Sequence, residues 1–487
     1  MGGSLDGCHR CAHVPATGWG KGYAMGSKSA LPAIALGTLY GLIVATTLWA
    51  QDGAPRGPWR GAGPQPCFGA DGGTYQCRQP PGLIAIRAGR LFDSKTGRML
   101  TDQVVLIRDD RITEVGAAAR IVIPAGAQVI DLSGETVLPG LIDAHTHIFN
   151  HPGPGMSRET SAFIAMQNAQ LDLYAGFTAA RDLTSHGNGY ADVDVREAIN
   201  QGRIMGPRFQ VSGRGIIWAG TATAATAAPL EAQRVQSVEE AIAAVREHVA
   251  HGVDWIKLFP GGNYTFRPDG KVDFVTTYPL PVLQAMIDEA HRLDRKTACH
   301  VFGGEGLRNA IAAGCDTVEH GLTLSQEQAD AMVAKGLSLD PTFTRYSVPS
   351  MDHDDNKKTG GKYRMIPLVT KTVSMAVATK GLRIMVGSGA DGGPYPHGAA
   401  QAIEFEALVK RAGMSPERAI QSGTIVNATV MGWQDRIGSI DSGNFADIIA
   451  VSGNPLADIT ELQRVKFVMK GGTIVRDDLA RTVASTR

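Results

Sequence analysis

The sequence predicts a fold of the α/β class: a (β/α)₈ TIM-like barrel with a small β-sandwich formed from both chain ends. Between about residues 137 and 430, short apolar strands alternate with amphipathic helices, and strand-like segments flank this region on both sides. The 59 glycines suit a fold with many tight turns. Because 487 residues exceed what one ordinary core organises, we expect a large domain and a smaller one.

The central region contains eight candidate barrel strands. The best-defined helix lies before Lys257, where Ser237 and Glu240 match a capping box and Gly252 supplies the C-terminal stop. The chemistry of such a barrel lies at the carboxyl ends of its strands. The predicted strands end near His147, Asp182, Ser212, Leu258, Val301, His320, Pro341 and Asp391.

Alternating segments on both sides of the barrel predict the sandwich. They are Ile84–Leu91, Val104–Val115, Gln128–Leu132, Ala446–Val451, Val465–Lys470 and Gly472–Val475. The predicted domains are 82–136 and 431–478 for the two parts of the sandwich, 137–430 for the barrel and 479–487 for a tail.

The N-terminal region has the features of a secretory signal peptide. An uncharged apolar run from Leu31 to Ala50 follows Lys21 and Lys28, and the chain then becomes polar. We predict a signal peptide at 25–50 and a linker at 51–81, and we interpret 1–24 as an extension outside the natural protein. The signal peptide predicts a secreted or periplasmic bacterial protein. A membrane anchor is the alternative, since the run nearly reaches the ~20 residues that span a bilayer.

Charge and cysteine content narrow the functional classes. Lys plus Arg and Asp plus Glu are both 47, which gives no reason to expect nucleic acid or an anionic membrane as a partner. The CxxC at Cys8 and Cys11 precedes the signal and lacks a second cysteine pair at zinc-finger spacing, so we do not expect a zinc site there. Cys67 and Cys77 are candidates for one disulfide in an oxidising compartment. Cys299 and Cys315 are expected to be buried thiols.

Six ligand-competent side chains end predicted barrel strands. His145 and His147 are two apart on one strand, so both rings point to the same face. Each group alone has an ordinary explanation, such as a buried core histidine or a snorkelling lysine. Their joint placement at strands 1, 4, 5, 6 and 8 predicts a metal centre. The six are His145, His147, Lys257, His300, His320 and Asp391.

The segments around these residues resemble the amidohydrolase superfamily. The motifs are Pro139–His147, Ile256-Lys257, Cys299-His300, Glu319-His320-Gly321, Gly387–Asp391 and Gly443–Ile448. The likeness is to the imidazolonepropionase-like and Xaa-Pro-dipeptidase-like branch, and within it to bacterial amidohydrolases that hydrolyse ochratoxin A. It covers about residues 82–476.

The resemblance implies two divalent metal ions. His145, His147 and Asp391 would hold the first ion. His300 and His320 would hold the second. This nitrogen-rich set suits Zn²⁺, with Mn²⁺ and Co²⁺ as alternatives.

The resemblance also implies that Lys257 bridges the two ions as a carbamate formed with CO₂. An ammonium cannot ligate a metal, whereas a carbamate presents two anionic oxygens. A metal-bridging hydroxide would attack the scissile carbonyl. Asp391 would accept its proton and pass it to the leaving amine.

The substrate is less defined by the sequence. The branch favours an amide bond to a C-terminal amino acid, as in an N-acyl amino acid or a dipeptide, and an aromatic residue fits the ochratoxin-type likeness. Two alternatives are a one-metal hydrolase of cyclic amides, of the imidazolonepropionase type, and a non-catalytic barrel scaffold. We also expect a homo-oligomer without stable membrane association after signal removal. Candidate substrate contacts just past strand ends are His151, His186, Tyr264, Arg345, Tyr346 and His397.

Overall fold

The computed structural model describes residues 82–479 except 152, 154, 221–231 and 348–363. All of these residues belong to the compact unit Arg56–Arg487. The predicted extension, signal peptide and linker lie outside the described residues, as do Cys8, Cys11, Cys67 and Cys77. Within the described part of the chain, no helix has the length and apolar character needed to cross a bilayer.

Strands and helices alternate through most of the described chain. The strands are β1 (Leu83–Asp93), β2 (Arg98–Arg108), β3 (Arg111–Ala117), β4 (Gln128–Pro139), β5 (Leu141–Thr146), β6 (Phe177–Asp182), β7 (Arg208–Val211), β8 (Ile216–Trp218), β9 (Gln233–Val235), β10 (Trp255–Leu258), β11 (Gly261–Phe266), β12 (Val272–Thr276), β13 (Lys296–Val301), β14 (Thr317–His320), β15 (Ser338–Asp340), β16 (Arg383–Ile384), β17 (Ile448–Val451), β18 (Phe467–Lys470) and β19 (Thr473–Asp477). The α-helices are α1 (Arg158–Tyr174), α2 (Ala191–Asn200), α3 (Val238–Ala250), α4 (Leu280–Arg292), α5 (Gly304–Ala313), α6 (Gln326–Lys335), α7 (Phe343–Ser347), α8 (Ile366–Ala378), α9 (Ile403–Lys410), α10 (Pro416–Gln421) and α11 (Asn427–Met431). Short 3₁₀ segments occur at Ala399–Ala402 and Ile459–Arg464, and a π segment at Ser422–Val426.

Strands from both ends of the chain form one seven-stranded sheet in the order β19-β18-β17-β4-β1-β2-β3. Strand β4 pairs in parallel with β1 and antiparallel with β17, so it joins the two contributions. Ile86, Ile107 and Phe467 belong to one buried cluster, which shows that the sheet encloses its own core. The small β-domain predicted from both chain ends is confirmed, and its strands form one continuous sheet. The segment Val104–Val115 lies in two strands, because the chain reverses at Asp109, where φ is 55°.

The predicted barrel is also confirmed. Its strands, together with the additional short strands β8 and β9, form two parallel groups, β5-β6-β7 and β16-β15-β14-β13-β10-β8-β9. Backbone hydrogen bonds connect the groups: Asp254 donates to the Val211 carbonyl, and Gly389 donates to the His145 carbonyl. Observed strand ends lie within a residue or so of seven predicted ones. The eighth strand is irregular, because regular pairing covers only β16 and the chain continues beside β5 through single hydrogen bonds.

Helix α3 forms where the sequence predicts it. The Ser237 hydroxyl accepts a hydrogen bond from the Glu240 amide at 3.1 Å, which caps the first turn. The Glu240 carboxylate accepts from the Gln236 amide instead of the Ser237 amide, so the predicted capping box is displaced by one residue. Gly252, with φ of 87°, ends the helix in the left-handed conformation that glycine tolerates.

Cys299 and Cys315 form a disulfide, so the prediction of two buried thiols is wrong. Strand β13 pairs in parallel with β14, and Cys315 lies just before β14 begins. Helix α5 returns the chain between them, which brings the two Cα atoms to 6.3 Å, within the range that a disulfide spans. The bond ties the strand that carries His300 to the strand that carries His320.

Candidate metal and catalytic site

The two histidines of strand β5 lie at the carboxyl end of the barrel. Their ring centroids are 5.1 Å apart, and His145 and His147 are 1% and 9% exposed. The end of β5 is held against the eighth strand, where the His147 amide donates to the Ala390 carbonyl at 2.7 Å. Both rings therefore have fixed positions inside the barrel mouth.

His300 and His320 lie beside this pair. Nε2 of His320 is 3.0 Å from Nδ1 of His300, and the ring of His320 is 5.1 Å from that of His145. His320 has a φ of 73°, a left-handed conformation that costs a non-glycine residue about 1–3 kcal/mol. The four predicted histidines are thus neighbours, and one of them is held in a strained conformation at a strand end.

The surroundings of the four imidazoles favour their neutral form. Burial, reinforced by neighbouring positive groups, lowers the pKa of each ring well below its ordinary value. A neutral imidazole carries the lone pair that a metal ligand needs. The electrostatics of the cluster therefore suit metal binding.

Lys257 lies near the histidines, one residue before the end of strand β10. Its Nζ is buried and has no hydrogen-bond partner, and its charge influences all four imidazoles. Burial lowers the pKa of Lys257 to about 8, although Glu319 partly opposes that shift. An amine near neutrality is nucleophilic. A partnerless buried amine among histidines is the feature that a carbamate ligand would explain.

Asp391 lies at the rim of the cluster. Its Oδ2 is 2.6 Å from Nη2 of Arg345 and 4.0 Å from Nε2 of His151. The described hydrogen bonds and ion pairs include none between Asp391 and the four histidines. Its strand nevertheless pairs with β5 at Thr146, one residue from each of His145 and His147.

The sequence predictions missed a group of charged side chains beneath His145. Nδ1 of His145 is 2.7 Å from Oε2 of Glu319, whose Oε1 accepts hydrogen bonds from Thr317 at 2.5 Å and Arg181 at 3.1 Å. Asp340 lies 3.8 Å from the same guanidinium. All are completely buried. A charged residue within an apolar barrel strand was the signal that could have identified them.

One group of described residues has its possible ligand atoms within 4.8 Å of one another, as a metal site requires. It consists of His145, Glu319 and Asp340. Glu319 already accepts from Arg181 and Thr317, however, so it is poorly placed to ligate a cation. A carboxylate that accepts from Nδ1 of a histidine leaves Nε2 free for a metal. We therefore interpret Glu319 as the residue that orients His145.

Two of the predicted substrate contacts line the rim. The ring of His186 stacks between those of His147, at 4.5 Å, and His151, at 3.8 Å. His397 has different contacts: Nδ1 is 2.9 Å from Asp172 and Nε2 is 3.1 Å from the His147 carbonyl. Because both its ring nitrogens have protein partners, His397 supports strand β5 and is not placed to bind a substrate.

Aromatic side chains cover the other side of the cluster. The ring of Phe302 lies 4.7 Å from His300 and 5.3 Å from Tyr264, and Tyr346 lies 5.5 Å from His320. We call Tyr264, Phe302 and Tyr346 the aromatic wall. Tyr264 belongs to the β11–β12 hairpin, which the sequence did not predict. Phe302, also missed, follows directly after strand β13.

The family model of the amidohydrolase family matches residues 136–475. The chain belongs to this family. Ochratoxinase from Aspergillus niger is 28% identical over 441 residues, which cover 81% of this chain and 87% of that enzyme. The crystal structure of A. niger ochratoxinase has a TM-score of 0.70 and 25% identity, covering 82% of this chain and 96% of that one.

A second solved structure extends the comparison. A Xaa-Pro dipeptidase with methionine bound in its active site has a TM-score of 0.71 and 28% identity, and covers 81% of this amidohydrolase and 100% of the dipeptidase chain. The predicted family, branch and barrel are therefore confirmed. The protein is a hydrolytic enzyme that acts on C–N bonds, from a family that typically binds metal.

Proposed function

We propose that this enzyme uses two divalent metals to cleave the amide bond to a C-terminal amino acid. The observation that carries the proposal is the convergence of four neighbouring histidines near a buried lysine amine without a hydrogen-bond partner. A structural core does not require that arrangement, because an unpartnered buried amine costs free energy.

The donor set fits a pair of metal ions. His145, His147 and Asp391 would hold one ion, and His300 and His320 the other. The nitrogen-rich set favours Zn²⁺. When bound, the ions would supply an activated water and polarise the scissile carbonyl.

Three protein groups complete the proposed chemistry. Lys257, as a carbamate, would join the two halves of the ligand set. Glu319 would keep the proton of His145 on Nδ1. Asp391, at the rim, would accept a proton from the attacking water and deliver it to the leaving amine, since a carboxylate can act first as base and then as acid.

The aromatic wall supports an aromatic or other large apolar group in the substrate. Phe302 and Tyr346 lie next to His300 and His320, and Tyr264 packs against Phe302. A substrate held there would contact ring faces and edges. Ochratoxin A, cleaved to ochratoxin alpha and phenylalanine, is the specific candidate, and other N-acyl amino acids and dipeptides form the wider class.

A substrate panel tests this proposal. Purified enzyme is incubated with ochratoxin A, an N-acyl phenylalanine, prolyl and basic C-terminal dipeptides and a cyclic amide, with and without a chelator. We expect hydrolysis of the aromatic substrates, loss of activity with chelator and recovery with Zn²⁺. Preferential opening of the cyclic amide would instead support the imidazolonepropionase-type alternative. An inert panel despite full metal loading would indicate a scaffold.

We also propose that the enzyme acts outside the cytoplasm. The apolar run Leu31–Ala50 and the disulfide between Cys299 and Cys315 support this proposal, because disulfides persist in oxidising compartments. Expression in a bacterium followed by fractionation and N-terminal sequencing tests it. We expect a shortened chain in the periplasm or medium, whereas an intact chain in the cytoplasm would contradict export.

A further inference from the structure

Arg345 occupies a rigid position at the mouth of the barrel. It lies on α7, directly after strand β15, and Glu404 fixes this helix by accepting from the Phe343 and Thr344 amides at 2.7 Å each. The guanidinium carbon lies 4.1 Å from the ring centroid of Tyr395, which covers one face. The packing of the helix and of Tyr395 therefore fixes the direction in which the guanidinium N–H groups of Arg345 point.

The charge of Arg345 reaches the centre of the site. It contributes to the lowered pKa of His145, His147, His300 and His320, as well as that of His186. Its side chain is 20% exposed, so the group is neither sealed in the core nor free on the surface. A ligand that enters the mouth meets this cation.

The structure already shows a carboxylate bound there. Nη2 of Arg345 is 2.6 Å from Oδ2 of Asp391, and Nη1 donates to the Gly389 carbonyl. A guanidinium is well suited to a carboxylate because its donors lie in one planar fork. The Asp391 carboxylate occupies the position in which a carboxylate of the substrate would meet the same donors.

We propose that Arg345 is the specificity-determining residue that binds the free carboxylate of the substrate's C-terminal amino acid, and that this carboxylate displaces Asp391 from it. The inference rests on the proposed amide hydrolysis. Only an ion-pair partner is exchanged, and no covalent bond changes. Asp391 would keep its place in the ligand set of the first ion, and its released Oδ2 can accept the proton and donate it.

The exchange has a kinetic consequence. A substrate whose carboxylate is replaced by a carboxamide lacks the charge needed to displace Asp391. Such a substrate loses kcat as well as apparent affinity, because the proton carrier stays paired with Arg345. Replacing a residue that merely stabilised the fold would lower kcat/KM for the carboxylate and the carboxamide substrates by the same factor.

The test compares an N-acyl phenylalanine with its carboxamide, using wild type, Arg345→Ala and Arg345→Lys. Arg267→Ala is the matched control, since Arg267 is an exposed arginine in the neighbouring hairpin that pairs with Asp269. We expect wild type and the control to favour the carboxylate in kcat/KM by about 10- to 100-fold, the range of one charge-assisted hydrogen bond. Arg345→Ala should bring the ratio near one, with Arg345→Lys between them.

Calorimetry provides a second measurement that does not depend on turnover. Phenylalanine and phenylalaninamide, which carry the same two end groups but lack the acyl–amide bond to be cleaved, are titrated into the folded variants, with folding checked by circular dichroism. Wild type should bind the carboxylate more tightly, and Arg345→Lys should reduce that difference at least several-fold. An unchanged carboxylate preference in either Arg345 variant overturns the inference. If wild type hydrolyses neither N-acyl substrate, the proposed function fails while the binding comparison still decides the role of Arg345.

Discussion

Replacing Glu319 with glutamine should weaken metal binding through the tautomer of His145. The Glu319 carboxylate lies 2.7 Å from Nδ1 of His145 and so keeps the ring proton there, which leaves Nε2 with a lone pair. The glutamine oxygen can still accept from Arg181 and Thr317. Its amide nitrogen then faces Nδ1 as a donor, so the proton moves to Nε2 and the ligand position is blocked.

Glu319→Gln should change both the metal affinity and the stability of the protein. Loss of an orienting partner of a metal ligand typically reduces metal affinity by about 10–100-fold. Stability should fall by about 1–3 kcal/mol, because the buried Arg181 loses a charged partner but keeps a hydrogen-bond acceptor. Asp340, 3.8 Å from Arg181, limits the loss further.

Competition with a chromophoric chelator measures the affinity, and urea unfolding measures the stability. Glu305→Gln is the control, since Glu305 is an exposed glutamate in the first turn of α5. Metal affinity within twofold of wild type in Glu319→Gln would refute the proposed orienting role, whatever the change in stability.

Three further predictions follow from the same geometry. Asp391→Asn should lower kcat by about 10²–10⁴-fold without unfolding the protein, as expected for loss of a general acid–base group. Steady-state kinetic assays measure this loss. The double change Cys299→Ala with Cys315→Ala should lower the free energy of unfolding in urea by about 3 kcal/mol, given the separation of 16 residues. Burial opposes protonation of His397, but Asp172 outweighs it and raises the pKa. Protonated His397 therefore stabilises the fold below its unfolded-state pKa of about 6.5, and this contribution is lost as the pH rises through the folded-state pKa. Urea unfolding at several pH values should show that His397→Gln lacks this pH-dependent stabilisation.

Each of these has a result that contradicts it. Asp391→Asn activity above about a tenth of wild type would exclude the proton-transfer role. A stability change below about 1 kcal/mol in the double cysteine variant would mean that the bond contributes little. Parallel pH–stability profiles for wild type and His397→Gln would mean that the contact with Asp172 does not stabilise the charged ring.

The histidines proposed as metal ligands could be located from the sequence because each one lies at or near the end of an apolar strand. His145 and His147 also share a local period that fixes their common face. Lys257 was identifiable for the same reason, as a cation at the end of a buried strand. In each case the local pattern indicates both the element and the end at which the side chain lies.

The residues that support the proposed ligands could not be predicted in this way. Glu319 meets Arg181 across 138 residues of sequence, and such a pairing depends on the barrel closing. Cys299 and Cys315 meet because of the β13–β14 register, which is absent from either segment alone. Tyr264 was predicted as a substrate contact, but its place in the aromatic wall depends on the β11–β12 hairpin, which the sequence did not predict.

Metal content measured on Lys257→Ala tests the central claim most directly. Wild-type protein, purified with Zn²⁺ and analysed by inductively coupled plasma mass spectrometry, should hold about two ions per chain, a number expected from the paired-metal sites of this type of hydrolase. Lys257→Ala should hold at most one ion and hydrolyse no substrate, while remaining folded by circular dichroism. A folded Lys257→Ala protein that keeps both ions and wild-type turnover would contradict the account.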